Sequence, residues 1–510
     1  MLMTHDEVGA PPSGARQDDP VEALREDIER IRRDMGGIDR IERLHSDGRL
    51  TVREHIDSLV DAGSFRELGT LAASLDPAQR ATTPGDGKIA GHATLDGRPV
   101  AVAGDDLTVR RGSSSVVGSR KVGRLFEQAL EIGEPFVYLG QTGGARIPDA
   151  LGAEGLAMVP PPIAIAARRH RIPVATAIVG ESFGGSSFIA GLSDFVVQTA
   201  GSCLAVTSPN VIAVATGEEI SQEDLGGTAV HSRRTGQVDR TATTIDEAND
   251  AIRSFLSYLP SNAWSPPPRT VASAVTPSER PAHIVPTDRR KSYDVRNLIA
   301  EVVDGESFFE LGPDFARSMV TGLARINGHS VGIIANQPKS AAGTISPDGC
   351  QKAIRLLVLC DSFDIPVVSF QDTPGFMVGT KVEHDRLLDS SMRFLQAWAL
   401  CGAPKLTVVV RKAFGMAFFS MGGSQMGSDV LVAWPGAEIG FMDPAVAANV
   451  VGQHVNPADN SPYRLAEAML IDNIIDPAQT GPTLSDALDR LSSRELRPLD
   501  ARPLATWPSS

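Results

Sequence analysis

The stretch IAGHATLDGRPV (residues 89–100) returns, altered, as VTGLARINGHSV (residues 320–331). Gly91 falls on Gly322, Ala93 on Ala324 and Gly97 on Gly328, an offset of 231 positions. Held fixed, that offset sets Gly112 on Gly343, Gly118 on Gly349, Pro135 on Pro366, Thr142 on Thr373 and Gly144 on Gly375. It goes on to set Pro173 on Pro404 and Gly184 on Gly415. Past four inserted residues the offset becomes 235, pairing Ser193 and Asp194 with Ser428 and Asp429, and Pro209 with Pro444. Upstream, GSFRELG (63–69) echoes ESFFELG (306–312). Single matches of glycine and proline arise by chance, but a whole series in one register does not. The chain is one unit written twice.

Within each copy, apolar runs alternate with amphipathic ones. PFVYLG (135–140) and PVVSFQD (366–372) read as buried strands, each preceded by an amphipathic helix (121–132 and 351–363). Second strands follow at VATAIVG (174–180) and LTVVVRK (406–412). Strand, helix, strand, helix implies an α/β fold with mostly parallel pairing and right-handed crossovers. A charged amphipathic helix over 21–35, with Asp19 as its cap, precedes the first copy.

A chain of 510 residues exceeds one ordinary core, which agrees with two domains. Residues 261–288 carry six prolines and no sustained periodicity, so the linker lies there. The expected division is a disordered tail at 1–18, a first domain at 19–265, a linker at 266–289 and a second domain at 290–510. A net charge of −14 argues against a nucleic-acid partner, which would want a basic surface. The first twenty residues lack the positive start and apolar core of a signal peptide, and no apolar run of about 20 residues could cross a membrane. Four cysteines, none in a CxxC pair, read as buried small hydrophobes in a reducing compartment, so the expected location is cytoplasmic.

Two similar turns stand at equivalent places, FGGSSF (183–188) and FGMAFF (414–419). In each, a strand runs through glycine into a helix-like segment, whose first N–H groups are unpaired and can meet an anion. Small residues let a ligand approach the backbone closely. Such donors suit a developing oxyanion, contributing about 3–4 kcal/mol for each well-aimed donor; the other reading is tight packing of a turn. A second glycine turn precedes each, GQTGGARI (140–147) and QDTPGFMVG (371–379). Strand ends at a sheet's carboxyl edge are where α/β proteins bind ligands. None of the four fits a phosphate-loop lysine signature or a dinucleotide GxGxxG. GGSSF imitates a GxSxG nucleophile weakly, and the ten histidines show no metal-ligand spacing, so no metal is expected. His231 and His384 read as surface or capping histidines. Paired oxyanion turns without a side-chain catalytic set suggest a substrate or cofactor that brings its own base.

These residues resemble the carboxyltransferase (β) subunits of biotin-dependent acyl-CoA carboxylases, of the propionyl-CoA carboxylase type. The resemblance runs from about Arg43 to Asp486. It rests on RLHSDGRLTVREHIDSLVDAGSFRELG (43–69), TGGARI (142–147), TGEEISQEDLGG (216–227) with His231, and NQPKSAAG (336–343). DTPGFMVG (372–379), RKAFGMAFFSMGG (411–423) and AWPGAEIGFM (433–442) complete the series in order.

The resemblance implies two tandem crotonase-like domains, each a ββα superhelix of the ClpP/crotonase superfamily. It implies a homo-hexamer built as a trimer of dimers, with each site between the first domain of one chain and the second of another. Acyl-CoA would be the substrate, and biotin would arrive on the carrier of a separate biotin carboxylase (α) subunit. The carboxyl group would pass from carboxybiotin to the α-carbon of the acyl-CoA, one turn holding the thioester enolate and the other the ureido oxyanion. Carried over by position, the donors are Gly184 and Gly185 in the first turn, and Met416 and Ala417 in the second. Gly143, Gly144, Ala145, Arg146 and Phe419 would face acyl-CoA, and Pro374, Gly375, Phe376 and Gly415 would face biotin. Which turn serves which oxyanion stays open. So do a biotin-linked decarboxylase or transcarboxylase, and a non-catalytic acyl-CoA-binding homologue. Gln141 stands where the family usually has an acid, and Met416 and Phe419 are bulkier than usual, which predicts a longer or substituted acyl group.

Overall fold

The computed structural model describes residues 19–271, 276–451 and 456–507. The expected disordered tail at 1–18 lies outside the described residues. The helix expected next to it spans Pro20–Asp34, with the Asp19 side chain accepting from the Val21 N–H.

The first copy forms an eight-stranded sheet from β1 (Arg66–Glu67), β2 (Lys88–Leu95), β3 (Arg98–Asp105), β4 (Phe136–Thr142), β5 (Val174–Phe183), β6 (Phe195–Thr199), β7 (Cys203–Ala205) and β8 (Arg240–Ala242). The order is β1-β2-β3-β4-β5-β6-β8, with β7 also on β5. The second copy repeats this with β9 (Phe309–Leu311), β10 (Met319–Ile326), β11 (His329–Asn336), β12 (Val367–Thr373), β13 (Lys405–Phe414), β14 (Val430–Ala433), β15 (Glu438–Gly440) and β16 (Asn473–Ile474). The β2–β3 and β10–β11 hairpins are antiparallel, and the strands that follow pair in parallel. Both quoted repeats are these hairpins, with Gly97 and Gly328 in the left-handed turns at φ 76°.

The duplication reaches atomic detail. The register between β4 and β5 slips between Gly140 and Thr142, and that between β12 and β13 slips between Gln371 and Thr373. Helices Val116–Ile132 and Pro347–Phe363 open on Ser115 and Ser346, each accepting from the glycine N–H three residues on. Their buried lysines, Lys121 and Lys352, donate to backbone carbonyls beneath each sheet, at Lys88 O and at Gly312, Phe315 and Met319 O. β3–β6 and β11–β14 are almost wholly buried, as parallel strands covered on both faces must be.

Two sequence readings change on folding. The proline-rich stretch is not bare chain: Arg269 bridges to His329, and a short helix, Arg280–Ile284, buries Pro281. His231 is not a surface histidine; it is buried against the Leu204 carbonyl at 2.6 Å and Thr235 Oγ1 at 2.9 Å. All four cysteines are free and buried, and burial pushes the Cys350 and Cys401 thiols up to about 12.

Candidate functional site

At the carboxyl edge of each sheet the two glycine turns of a copy come together. A Cβ on Gly144 would stand 3.8 Å from Phe183 Cβ, and one on Gly184 would stand 3.9 Å from Gly144 Cα and 4.0 Å from the Ala145 nitrogen. In the second copy a Cβ on Gly375 would stand 3.7 Å from Phe414 O. Glycine is required at both helix entrances because Gly184 and Gly415 take φ 62° and 63°.

The turn after β4 is held from three sides. The Gly143 N–H donates to Arg111 O at 3.1 Å, and the Gly144 N–H to Thr142 Oγ1 at 3.1 Å. Ser114 then clasps the chain, donating to Gly144 O at 2.9 Å and accepting from the Arg146 N–H at 2.8 Å. This parallel bridge leaves the Ala145 N–H directed away from Ser114, toward the Gly184 turn. The second copy repeats it with Ile345: its N–H donates to Gly375 O at 3.1 Å, and its carbonyl accepts from the Met377 N–H at 2.9 Å. The Phe376 N–H is thereby set free on the same side.

The helical half of each site corrects one expectation. The Gly184 N–H donates to Val206 O at 3.2 Å, just as the Gly415 N–H donates to Gly440 O at 2.9 Å. Gly184 is therefore a hinge and not a donor, because its N–H extends the pairing of β5 with β7. In the first turns of helices Gly185–Gly191 and Met416–Ser420, the N–H groups of Gly185 and Ser186 are open, and so are those of Met416 and Ala417. These two pairs match at the offset of 231. Each copy thus has a further N–H without a backbone partner on the neighbouring glycine turn, that of Ala145 or of Phe376. Sequence reasoning missed Ser186, and treated Ala145 and Phe376 only as contact residues.

Arg146 is also corrected. Its guanidinium is buried, 2.6 Å from Asp86 Oδ1 and 3.4 Å from Ser113 Oγ, so it anchors the loop and does not present a cation. Gln141 too faces inward: its amide donates to Asp105 O at 3.1 Å and its N–H to Asp105 Oδ2 at 3.0 Å. Asp105 pairs with buried Lys88 and accepts from Tyr138 OH at 2.7 Å. Burial first, and then the Asp105 charge, pushes the Tyr138 phenol far above its usual range, so it stays a donor. In the second copy Asn336 Oδ1 takes the place of that carboxylate, accepting from the Asp372 N–H at 3.1 Å. Asp372 lies 3.0 Å from Arg411 and 3.9 Å from Lys412; burial raises its pKa against the opposing pull of both cations.

Around the donors stand Phe188 in the first copy and Met416 and Phe419 in the second, all part-exposed. Phe419 meets Phe418 edge-on at 5.3 Å. Pro374, Gly375 and Phe376 line the second mouth, where a Cβ on Gly415 would stand only 3.2 Å from Phe441 O. No Ser-His-Asp or Cys-His arrangement joins either mouth among the described residues. The arrangement can polarise a carbonyl and hold an oxyanion.

Comparison with known proteins agrees with that chemistry. The carboxyl transferase domain family matches residues 43–502. The chain is 35% identical over 514 residues to the propionyl-CoA carboxylase carboxyltransferase subunit of Haloferax mediterranei, covering 94% of this chain and 97% of that one. It is 35% identical over 497 residues to the methylmalonyl-CoA carboxyltransferase 12S subunit of Propionibacterium freudenreichii subsp. shermanii, covering 91% and 93%. Among solved structures it resembles a transcarboxylase 12S hexamer assembly crystallised with hydrolysed methylmalonyl-coenzyme A, at TM-score 0.89 and 34% identity over 95% of this chain and 98% of that one.

Proposed function

Since the chain belongs to the carboxyl transferase family, we propose that it transfers a carboxyl group between biotin on a carrier protein and the α-carbon of an acyl-CoA. The observation that carries this reading is the pair of matching glycine turns, one per copy, with open backbone N–H groups and, among the described residues, no Ser-His-Asp or Cys-His arrangement at either. Two carbonyl oxygens gain negative charge in such a transfer, and the chain has one cradle for each.

The unit at 19–265 holds the acyl-CoA. There the Ala145, Gly185 and Ser186 N–H groups stabilise the thioester enolate, and Gly143 and Gly144 let the thioester reach them. The unit at 290–510 receives biotin. The Met416, Ala417 and Phe376 N–H groups meet its ureido oxygen, while Gly375 and Gly415 keep the approach open. The fit is supported by the Gly415 backbone, where a Cβ would close to 3.2 Å on Phe441 O. Carboxylated biotin, when bound, supplies the carboxyl group and the base that takes the substrate α-proton. Donors fixed in the backbone need no reorganisation as charge develops, which makes them effective in a water-poor cleft. Phe419 and Met416 narrow the acyl end and favour a longer or substituted chain.

The transcarboxylase 12S relative is a hexamer, and the surface here supports the same assembly, a trimer of dimers. Ile147 and Val378, Phe188 and Phe419, Val206 and Phe441, and Val211 and Val446 are equivalent pairs, and all eight residues are exposed around the mouths. Matching apolar faces on the two copies let the first unit of one chain cover the second unit of another. A biotin carboxylase and biotin carrier supplied by a separate α subunit complete the cycle. Four buried free thiols and the absence, among the described residues, of a helix long and apolar enough to cross a membrane favour a cytoplasmic location.

The relatives include a transcarboxylase subunit and, at 34% identity, a methylmalonyl-CoA decarboxylase subunit from Veillonella parvula. A coupled assay separates the directions. ATP- and bicarbonate-dependent carboxylation of an acyl-CoA supports a carboxylase, and ATP-independent decarboxylation of a malonyl-type CoA supports the other.

A further inference from the structure

At the carboxyl ends of β4 and β12 the two copies use different side chains. The offset of 231 sets Gln371 on Gly140 and Asp372 on Gln141. Gln141 and Asp372 are the residues inside the register slips of β4 on β5 and of β12 on β13. Gln371 and Asp372 are both buried. Neighbouring side chains leave a strand on opposite faces, so these two reach different elements.

The Gln371 amide donates to Met421 O at 2.8 Å and to Phe418 O at 3.3 Å. Those carbonyls lie at the far end of the short helix Met416–Ser420, whose first N–H groups are open at the second mouth. The last carbonyls of a helix need partners from outside it, and Gln371 supplies one. Asp372 takes the other direction. Its carboxylate accepts from Arg411 Nε at 3.0 Å and from the Lys412 N–H at 3.3 Å, both on β13. Its own N–H donates to Asn336 Oδ1 on β11 at 3.1 Å. Arg411 also donates to Lys291 O at 2.9 Å and lies over the Tyr293 ring at 5.1 Å. One strand end thus holds both the helix with the open N–H groups and the strand that feeds it.

The first copy is braced elsewhere. Gly140 has no side chain to reach its helix, and a Cβ there would already stand 3.4 Å from Ser186 Cβ. Gln141 turns toward Asp105 O on β3, and the place of Arg411 is taken by Gly180. The acid of the first copy is Asp105, where the second has the amide Asn336. Acid and amide have exchanged strands between the copies. Asp105 ties β3 to β4 through Tyr138 OH and the Gln141 N–H, whereas Asp372 ties β12 to β13.

We propose that Gln371 and Asp372 are positioning residues of the second mouth, holding the Met416 and Ala417 N–H groups against the turn at 374–376. This assignment rests on the reading of that mouth as the biotin side. Loss of either side chain therefore falls on the carrier half of the reaction and spares acyl-CoA binding.

The test uses Gln371→Met, which keeps the bulk and loses the amide, and Asp372→Asn, which keeps the shape and loses the charge. Hydrogen–deuterium exchange on the full chain is read first, without turnover, in peptides covering 371–379 and 411–423 and their counterparts at 140–147 and 180–191. Exchange should quicken by about fivefold or more, the scale of one lost hydrogen bond, in the second-copy peptides alone. With the partner subunits, kcat/KM for the carboxylated carrier should fall by about tenfold or more, because a displacement of about 1 Å near a reacting centre can cost about 100-fold. Calorimetric affinity for the acyl-CoA should stay unchanged. Variants that keep the unaltered exchange or the unaltered carrier kinetics overturn the proposal. So does an equal loss of acyl-CoA affinity, the mark of a general loss of structure. Removing one partner of a buried ion pair leaves the other uncompensated. Should Asp372→Asn fail to assemble for that reason, Asp372→Gln/Arg411→Gly replaces it under the same criteria, copying Gln141 and Gly180, with which the first copy folds. An unaltered chain that transfers no carboxyl group would sink the proposed reaction, and the exchange result would still decide whether these side chains hold the turn.

Discussion

Gly185 lies against Ser114: a Cβ on this glycine would stand 2.7 Å from the Ser114 hydroxyl oxygen. A hydroxyl at the end of a short side chain can rotate aside, so alanine at 185 leaves the fold intact. A branched side chain cannot be cleared that way, and it fills the approach to the Gly185 and Ser186 N–H groups. Gly185→Val is expected to lower kcat by about 100-fold or more, the scale of losing one oxyanion donor. Sedimentation should show an unchanged assembly. Wild-type turnover in that variant would place the acyl oxyanion elsewhere.

Phe419 meets Phe418 edge-on at 5.3 Å, and on the proposed reading its ring narrows the acyl space. With reconstituted partner subunits, kcat/KM should be poor for acetyl-CoA and rise for longer or branched acyl-CoAs. Phe419→Ala should flatten that ranking. Rapid acetyl-CoA turnover by the unaltered chain contradicts this role.

Phe441 is 84% exposed and stands at the position of Val206 in the other copy. Phe441→Asp puts a charge into the matched apolar faces, and burying an unpaired charge costs several kcal/mol. The expected result is a smaller species in analytical ultracentrifugation and loss of transfer together. An intact oligomer would move the interface away from this face.

His55 is buried, and burial first, then the nearby Arg49 charge, pushes its pKa down to about 4. In the unfolded chain it titrates near 6.5. Below that pH the unfolded state takes up a proton that the folded state refuses. Stability contributed by neutral His55 is therefore fully present above about pH 6.5 and is lost as pH falls toward 4. The loss reaches about 2 kcal/mol at pH 5. Urea midpoints at pH 7 and pH 5 should differ for the unaltered chain by that contribution more than for His55→Leu. Equal pH dependence in both would remove His55 from the account.

Much of this was legible in the sequence because glycine and proline mark backbone geometry directly. The 231-residue offset carried the duplication, the strands at 135–140 and 366–372, and the glycine turns at Gly184 and Gly415, whereas the strand slips at Gly140 and Gln371 appear only in the folded register. The donors themselves were one residue out in the first copy. Whether the Gly184 N–H is free depends on its pairing with Val206, across a strand that no local pattern announces. Ala145 and Phe376 escaped as donors because their freedom comes from Ser114 and Ile345, some thirty residues earlier.

The central claim is tested most directly by a single-turnover experiment without ATP. A biotin carrier carboxylated beforehand with labelled bicarbonate is mixed with the chain and a branched or medium-length acyl-CoA. Label is expected to appear at the α-carbon of the acyl-CoA as a malonyl-type thioester, in an amount matching the carrier consumed. Loss of label from the carrier as carbon dioxide, with none in the thioester at any acyl length, would contradict it.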